Sequence, residues 1–502
     1  MKAGVFKRIG TRLPDPNKNT LRKFRTFVRR WVKKNLTPLS PDSDLSFETW
    51  LGKTNYTESR KAELRRCMAK NPNIRDPKYH ACKCFMKDET YSEYKHARGI
   101  FSRTDEWKCF MGPYIKAIEE VVYSLPQFIK HIPVSLRPDY IMNYLFRPGA
   151  KFFATDYTSF ESSFVEQLMD VCGFELYRFM LCKIPQYREF LFAMRVLSGK
   201  NKCYFKNFWF SIFATRMSGE MDTSLANGFT NLMVGLFLCK ITGCGTPQIV
   251  VEGDDGLATT PTNRYPTPDD YARLGFNIKI ETHEQIETAS FCGIIFDRNE
   301  RVNVTNPLET LFTIGWLPER YARARKSVQL AVLRCKAFSA AHQYPGCPMI
   351  YEYSQYILRL TRQYHKAAVD IVTKKKGFNT YERDSYLAAI NSEGRIPVRP
   401  TGMATRQLVE QKFGIPIGQQ IEFEEMCRNK QELSPIDGTS LLKYVHPSWI
   451  DYYNRYGVET VDRIDYPSLT VFQAGCYKRY SNRTSLFDSI DVDDDELMEK
   501  LV

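Results

Sequence analysis

Two adjacent carboxylates, Asp254 and Asp255, interrupt the stretch IVVEGDDGLA (249–258), whose apolar flanks read as two short strands around a tight turn. Paired acids at the tip of a buried hairpin repel one another and resist desolvation, so they require water or a cation. Gly and Asp are also ordinary hairpin-tip residues, so turn chemistry alone would explain the tripeptide. A third carboxylate, Asp156, closes KFFATD (151–156), another predicted strand. Neighbouring strands of one antiparallel sheet would bring Asp156 and Asp254 within a few ångström of each other. Two Mg²⁺ ions need that arrangement to bridge a phosphate and an attacking oxygen, one activating a hydroxyl and the other neutralising pyrophosphate. The chemistry on offer is group transfer by positioning and charge.

The elements around these residues follow from periodicity. SFESSFVEQLMDVCGFELYRFML (159–181) predicts a long amphipathic helix behind the first strand, and SLANGFTNLMVGLFLCKI (224–241) a more buried one after the loop RMSGEMDT. LGFNIKIE (274–281) and ASFCGIIFD (289–297) predict further short strands, and 301–480 reads as mainly helical. Near the N-terminus, LRKFRTFVRRWVKK (21–34) sets Phe24, Phe27, Val28 and Trp31 at helical spacing among cations. Such a helix suits RNA phosphates, a membrane surface or plain packing through its aromatic stripe. The end, DSIDVDDDELMEKLV, is an acidic tail.

With 502 residues, 43% of them hydrophobic, the chain can build several cores. Its net charge of +14 favours an anionic partner, nucleic acid before acidic membrane. Fourteen Cys without repeating spacing, and a charged N-terminus without an apolar h-region, predict free thiols in a reducing compartment. His80, Cys82 and Cys84 in YHACKC are soft ligands close together, but no second pair stands at zinc-site spacing. The segment 223–239 is slightly short for a membrane span and carries two Asn and two Thr, which predicts a buried helix. No internal repeat and no G-x-x-x-x-G-K-[ST] loop is present, so an ATPase motor is not supported.

TDYTSFE (155–161), SGEMDTSLAN (218–227) and EGDDG (252–256), in that order, resemble motifs A, B and C of a viral RNA-dependent RNA polymerase. FMKDETYSEYKHARGIFSRT (85–104) resembles motif F, LGFNIKIE motif D and SFCGIIF (290–296) motif E, most like positive-strand RNA viruses of the tombusvirus and nodavirus kind. The resemblance implies an α+β right-hand fold: fingers from 1–150 with an insertion at about 157–215, a palm of antiparallel sheet flanked by helices over 149–300, and a mainly helical thumb over 301–480. It implies Asp156, Tyr157, Asp254 and Asp255 at the metals, Mg²⁺ with Mn²⁺ able to substitute, and Lys279 as the acid for pyrophosphate. Lys87, Lys95, Arg98 and Arg103 would hold the triphosphate. Glu161, where the family commonly has Asp, would meet the ribose 2′-OH together with Asn227. Ser218, Gly219 and Thr223 would feel template and ribose. Cys292, in the motif E resemblance, reads as packed core.

A reverse transcriptase would place a bulky aromatic where Glu161 stands and lacks the Ser-Gly and Thr-x-x-x-Asn pattern. A non-catalytic basic RNA-binding protein would explain the charge but not carboxylates ordered with two polar helix motifs. The expected partners are template and nascent RNA, ribonucleoside triphosphates, other viral replication proteins and, at most peripherally, a membrane. The expected place is the host cytoplasm or its membrane-associated replication complexes.

Overall fold

The computed structural model describes residues 2–456 except 11–12, 88–90, 92, 94, 316, 318–320, 322–323, 375–379, 393–397, 435 and 437. The acidic tail and residues 457–480 of the predicted thumb lie outside the described residues. Helices dominate, and two small sheets share the core work, an architecture compatible with an α+β polymerase.

The first sheet has the order β2-β1-β4-β5, from β1 (Cys82–Met86), β2 (Gly99–Arg103), β4 (Lys200–Tyr204) and β5 (Trp209–Phe213). The second has the order β6-β7-β3-β8, from β3 (Phe152–Tyr157), β6 (Gln248–Glu252), β7 (Asp255–Thr259) and β8 (Ile278–His283), all antiparallel. β3 is central and buried on both faces except at Asp156. That is why it reads as a continuous apolar run rather than an alternating one.

Of the helices, α1 (Lys2–Ile9) packs Val5 and Ile9 under the first sheet, and α2 (Lys18–Asn35) carries the basic amphipathic stripe. α3 (Thr223–Ile241) backs β6 and β7; it is long and apolar enough to cross a membrane, but 78% of it is buried in the protein. The aromatic stripe of α2 is core: Phe24 and Phe27 meet Phe237 at 5.1 and 5.7 Å, and Trp31 meets Phe229 at 6.0 Å. Its apolar face is therefore not offered to lipid. On its flank, Arg29 Nε donates to Glu175 Oε2 at 2.8 Å. The region after 301 is helical over its described length, from Pro307–Ile314 to Pro447–Tyr456.

The structure departs from expectation at 159–181, which is no single helix. A 3-10 turn (Phe160–Ser163) is followed by two short helices, Glu166–Val171 and Gly173–Met180. The carbonyls a helix would use are taken by a distant strand end: Arg216 N donates to Glu161 O at 3.0 Å and Thr215 N to Phe164 O at 2.7 Å. Tertiary bonds override the local period there. Residues 289–297 form no extended strand either; Phe291 and Ile294 bridge around a tight turn instead.

Candidate active site

The hairpin β6–β7 closes through a two-residue tip. Glu252 pairs with Asp255 across it, so Gly253 and Asp254 form the turn. Gly253 has φ of +63° while Asp254 stays in the ordinary range, the pattern of a II′ turn, in which glycine is favoured at the first position. Asn231, on the α3 face toward the hairpin, holds this tip. Its Nδ2 donates to the carbonyls of Gly253, Asp254 and Asp255 at 3.3, 2.9 and 3.0 Å, and its Oδ1 accepts from Tyr157 Oη at 3.1 Å.

β3 lies beside β7 in the register Thr155 opposite Gly256, which places Asp156 next to Asp255. The charges of Asp156, Asp254 and Asp255 act on one another. Burial, then the Glu161 and Asp255 charges, raise the Asp254 carboxyl to about 6. Asp255 is also raised, by burial first, although a thiol hydrogen bond from Cys292 opposes the shift. Asp255 still meets water, because it lines a cavity of about 270 Å³ with Asp156, Glu281 and Cys292. Cys292 thus faces the carboxylates rather than lying wholly in the core; it occupies a left-handed position (φ +53°) at the tip of its turn. The Tyr157 side chain is buried, so only its main chain is left to face a metal. Among the described residues, no three His, Cys, Asp or Glu side chains are gathered into a group that would cage a metal ion. YHACKC is no exception: His80 is hydrogen-bonded to Ile74 O at 2.8 Å, and Cys82 and Cys84 are buried free thiols.

A second cavity, about 240 Å³, contains Lys87, Arg98, Glu161, Arg216 and Ser218 in its walls, with Arg8 from α1. A polar relay links two of these walls through the buried Asn227. Asn227 Nδ2 donates to Glu161 Oε1 at 3.1 Å, and Arg216 Nη1 donates to Asn227 Oδ1 at 2.8 Å. The Arg216 guanidinium lies 3.7 Å over the Phe164 ring. The extra methylene of Glu161 therefore still lets its carboxylate reach Asn227. Ser218 Oγ donates to Gly99 O at 3.2 Å, and Gly219 packs so close to β2 that a Cβ would meet Phe101 O at 2.8 Å. Gly219 serves close approach rather than a left-handed turn. Thr223 closes the same loop by donating to Met217 O at 2.8 Å.

Two predicted residues, Arg103 and Lys95, sit elsewhere, while a third, Lys279, stands beside Asp156. Arg103 is buried, not in the cleft: its Nη2 donates to Asn201 Oδ1 at 2.6 Å, its Nη1 to His80 O, and its Nε to Glu220. It falls on the inward face of β2 with Phe101, so its charge is spent on Glu220 rather than on a phosphate. Lys95 is exposed beside Tyr91 and lines neither cavity described above. Lys279 lies opposite Asp156 across β3–β8, exposed and hydrogen-bonded to Glu281, which raises its pKa. Conversely, Arg216, Asn231 and Glu220 shape the site without a flag of their own in the sequence. Asn231 had one available signal, its place four residues after Asn227 in an otherwise apolar helix.

A carboxylate-tipped hairpin beside an amide–carboxylate–guanidinium relay and a cation-walled cleft is an arrangement suited to nucleotidyl transfer. Residues 193–433 match the family model described as viral RNA dependent RNA polymerase. That match, over a little under half of the chain, indicates an RNA-dependent RNA polymerase, a nucleotidyltransferase. The matched span includes Ser218, Asn227, Asp254, Asp255 and Lys279, while Asp156 and Glu161 precede it. No curated protein matches the chain.

Proposed function

We propose that this protein copies an RNA template from ribonucleoside triphosphates to replicate a viral RNA genome, with nucleotidyl transfer assisted by two divalent ions. The observation that carries the reading is that the β3–β7 register and the hairpin tip place Asp156, Asp254 and Asp255 at one end of the second sheet, where the Asp156 and Asp255 charges act against Asp254. In the right-hand layout, fingers would come from 1–150 and about 157–215, palm from 149–300 and thumb from 301–480. Replication in the host cytoplasm or at its membrane-associated complexes, with other viral proteins, is part of the same proposal.

The donor types suit a hard cation, although the three carboxylates are not gathered into a ready cage. Three carboxylates offer oxygen ligands, and burial leaves Asp254 in need of a positive charge. Asp156, Asp254, Asp255 and the Tyr157 carbonyl would hold Mg²⁺ or Mn²⁺, whose chemistry is to activate a hydroxyl and neutralise pyrophosphate. The chain's own residues do the rest. Lys87 and Arg98 face the triphosphate, with Arg98 able to grip oxygens bidentately. Glu161 and Asn227, fixed by Arg216, orient the ribose 2′-OH. Lys279, protonated through its Glu281 bond, stands near Asp156 to supply a proton.

The test is incorporation of labelled ribonucleotide on a homopolymeric RNA template with Mg²⁺ or Mn²⁺ and deoxynucleotide competitors. Template-dependent ribonucleotide synthesis is expected; RNA binding without synthesis would reject the reading. Asn227→Ala should lower the ribose-over-deoxyribose preference by about tenfold, the worth of one hydrogen bond. An unchanged preference in competition assays would remove Asn227 from that role.

The Asp254 carboxyl also sets a pH dependence. Its folded pKa, about 6, lies above the usual aspartate value, so folding favours the protonated form. Its contribution to stability is present at low pH and is lost as pH rises from about 4 through 6. A divalent ion binds the ionised form, so Mg²⁺ should raise the melting temperature at pH 7.5 and scarcely at pH 5. Equal metal-induced shifts at both pH values in thermal melts would contradict this.

A further inference from the structure

We infer that the open face of the first sheet is a stacking platform for single-stranded RNA, outside the cleft that binds the nucleotide. The sheet has one covered and one uncovered face. Cys82, Cys84, Phe101 and Cys203 point inward, into a cluster closed by Val5 of α1. The alternate positions point outward, and they carry large rings where a solvated sheet face is ordinarily polar. Phe85 is 53% exposed, Tyr204 44%, Trp209 63% and Phe213 70%. The pairings Tyr204 with Trp209 and Lys200 with Phe213 put these rings on one face, and the Tyr204 and Trp209 rings lie 6.2 Å apart at 27°.

Lysines interleave with the rings. Lys83 lies opposite Tyr204 across β1–β4, and Lys200 and Lys202 share the outward face of β4 with Tyr204. All three are exposed, and none of the four strands contains an acid. Exposed rings alone would suit a protein partner or a lipid surface equally. Rings and cations set side by side on one face, with no acid in its strands, match a polymer that presents both bases and phosphates. The platform also leads to the right place: at the opposite edge of the same sheet, Gly99, Ile100 and Phe101 of β2 form part of the nucleotide cleft wall. The platform and that wall thus lie at opposite edges of one sheet.

The test measures binding without catalysis. Labelled oligo(U) of about 20 nucleotides is titrated by anisotropy, without nucleotides or divalent ions, into Asp254→Asn protein with and without Trp209→Ala and Phe213→Ala. Each ring removed should weaken binding about tenfold, while Trp209→Phe stays close to native. Lys200→Ala with Lys202→Ala should lower the salt slope by about 0.7 for each phosphate that the protein no longer neutralises. Because the rings are exposed, melting temperatures should hold. As a measurement that needs no variant, oligo(U) containing 4-thiouridine should cross-link to residues 200–213 of the native chain. Unchanged affinity with cross-links elsewhere would overturn the proposal. So would unchanged affinity accompanied by loss of self-association in sedimentation, or of binding to anionic vesicles, since the face would then serve a second copy or a bilayer. Synthesis by native protein on a short template reports separately on the polymerase reading.

Discussion

Asp254→Asn should reduce template-dependent RNA synthesis by at least about 10³-fold while leaving the protein folded, and in divalent-free buffer at pH 7.5 at least as stable as the native chain. The two halves of this expectation have one cause. Asn preserves the shape of the side chain, and the tip is held through main-chain groups, by the positive φ of Gly253 and by Asn231 donating to three carbonyls. What disappears is a half-buried negative charge that Glu161 and Asp255 oppose. Its loss relieves repulsion in the free protein and removes an oxygen anion that a divalent ion needs. About 4 kcal/mol of transition-state stabilisation corresponds to that rate loss, within the range for removing charge stabilisation at a reacting phosphate. The check is the initial rate of ribonucleotide incorporation beside thermal melts of both proteins. A variant within tenfold of native activity, or one that melts far below native, would sink the assignment.

Local patterns made the hairpin and β3 legible, because strand, tight turn and strand are written in adjacent residues, and Asp156 closes an apolar run. The buried character of α3 was legible for the same reason. Sequence reasoning failed wherever a distant partner decided. Residues 159–181 have a helical period, yet the backbone of Thr215 and Arg216 captures the carbonyls of Phe164 and Glu161 and breaks the helix. Arg216 looks like any loop cation until Phe164 and Asn227 surround it. Cys292 reads as core because its neighbours are apolar, but a left-handed turn brings its thiol to Asp255. The aromatic stripe of α2 was ambiguous in sequence, since the same residues suit a lipid surface and a core. Phe237 and Phe229 supply the core that resolves it.

Arg103 shows how far side-chain type can mislead and yields the second large effect. Its residue type and position in the motif F resemblance suggest a phosphate ligand, but the period of β2 puts it on the inward face beside Phe101. There Glu220 accepts from Arg103 Nε and, at 3.1 Å, from Trp107 Nε1, so the ion pair ties β2 and the helix that starts at Asp105 to the loop before α3. Arg103→Ala should destabilise the protein by about 3–5 kcal/mol, because it leaves Glu220 buried with its charge uncompensated. Arg103→Met combined with Glu220→Leu should recover part of that loss, since it removes both buried charges while Asn201 Oδ1, His80 O and Trp107 Nε1 lose their partners. Urea unfolding of the native, single and double variants measures both effects. The decisive comparison is kinetic: in the refolded double variant, the KM for ribonucleotides should stay within a few-fold of native if Arg103 is a strut. A rise of a hundredfold or more in a fully folded double variant would return Arg103 to the triphosphate, and would mean that the cleft rearranges to reach it when nucleotide enters.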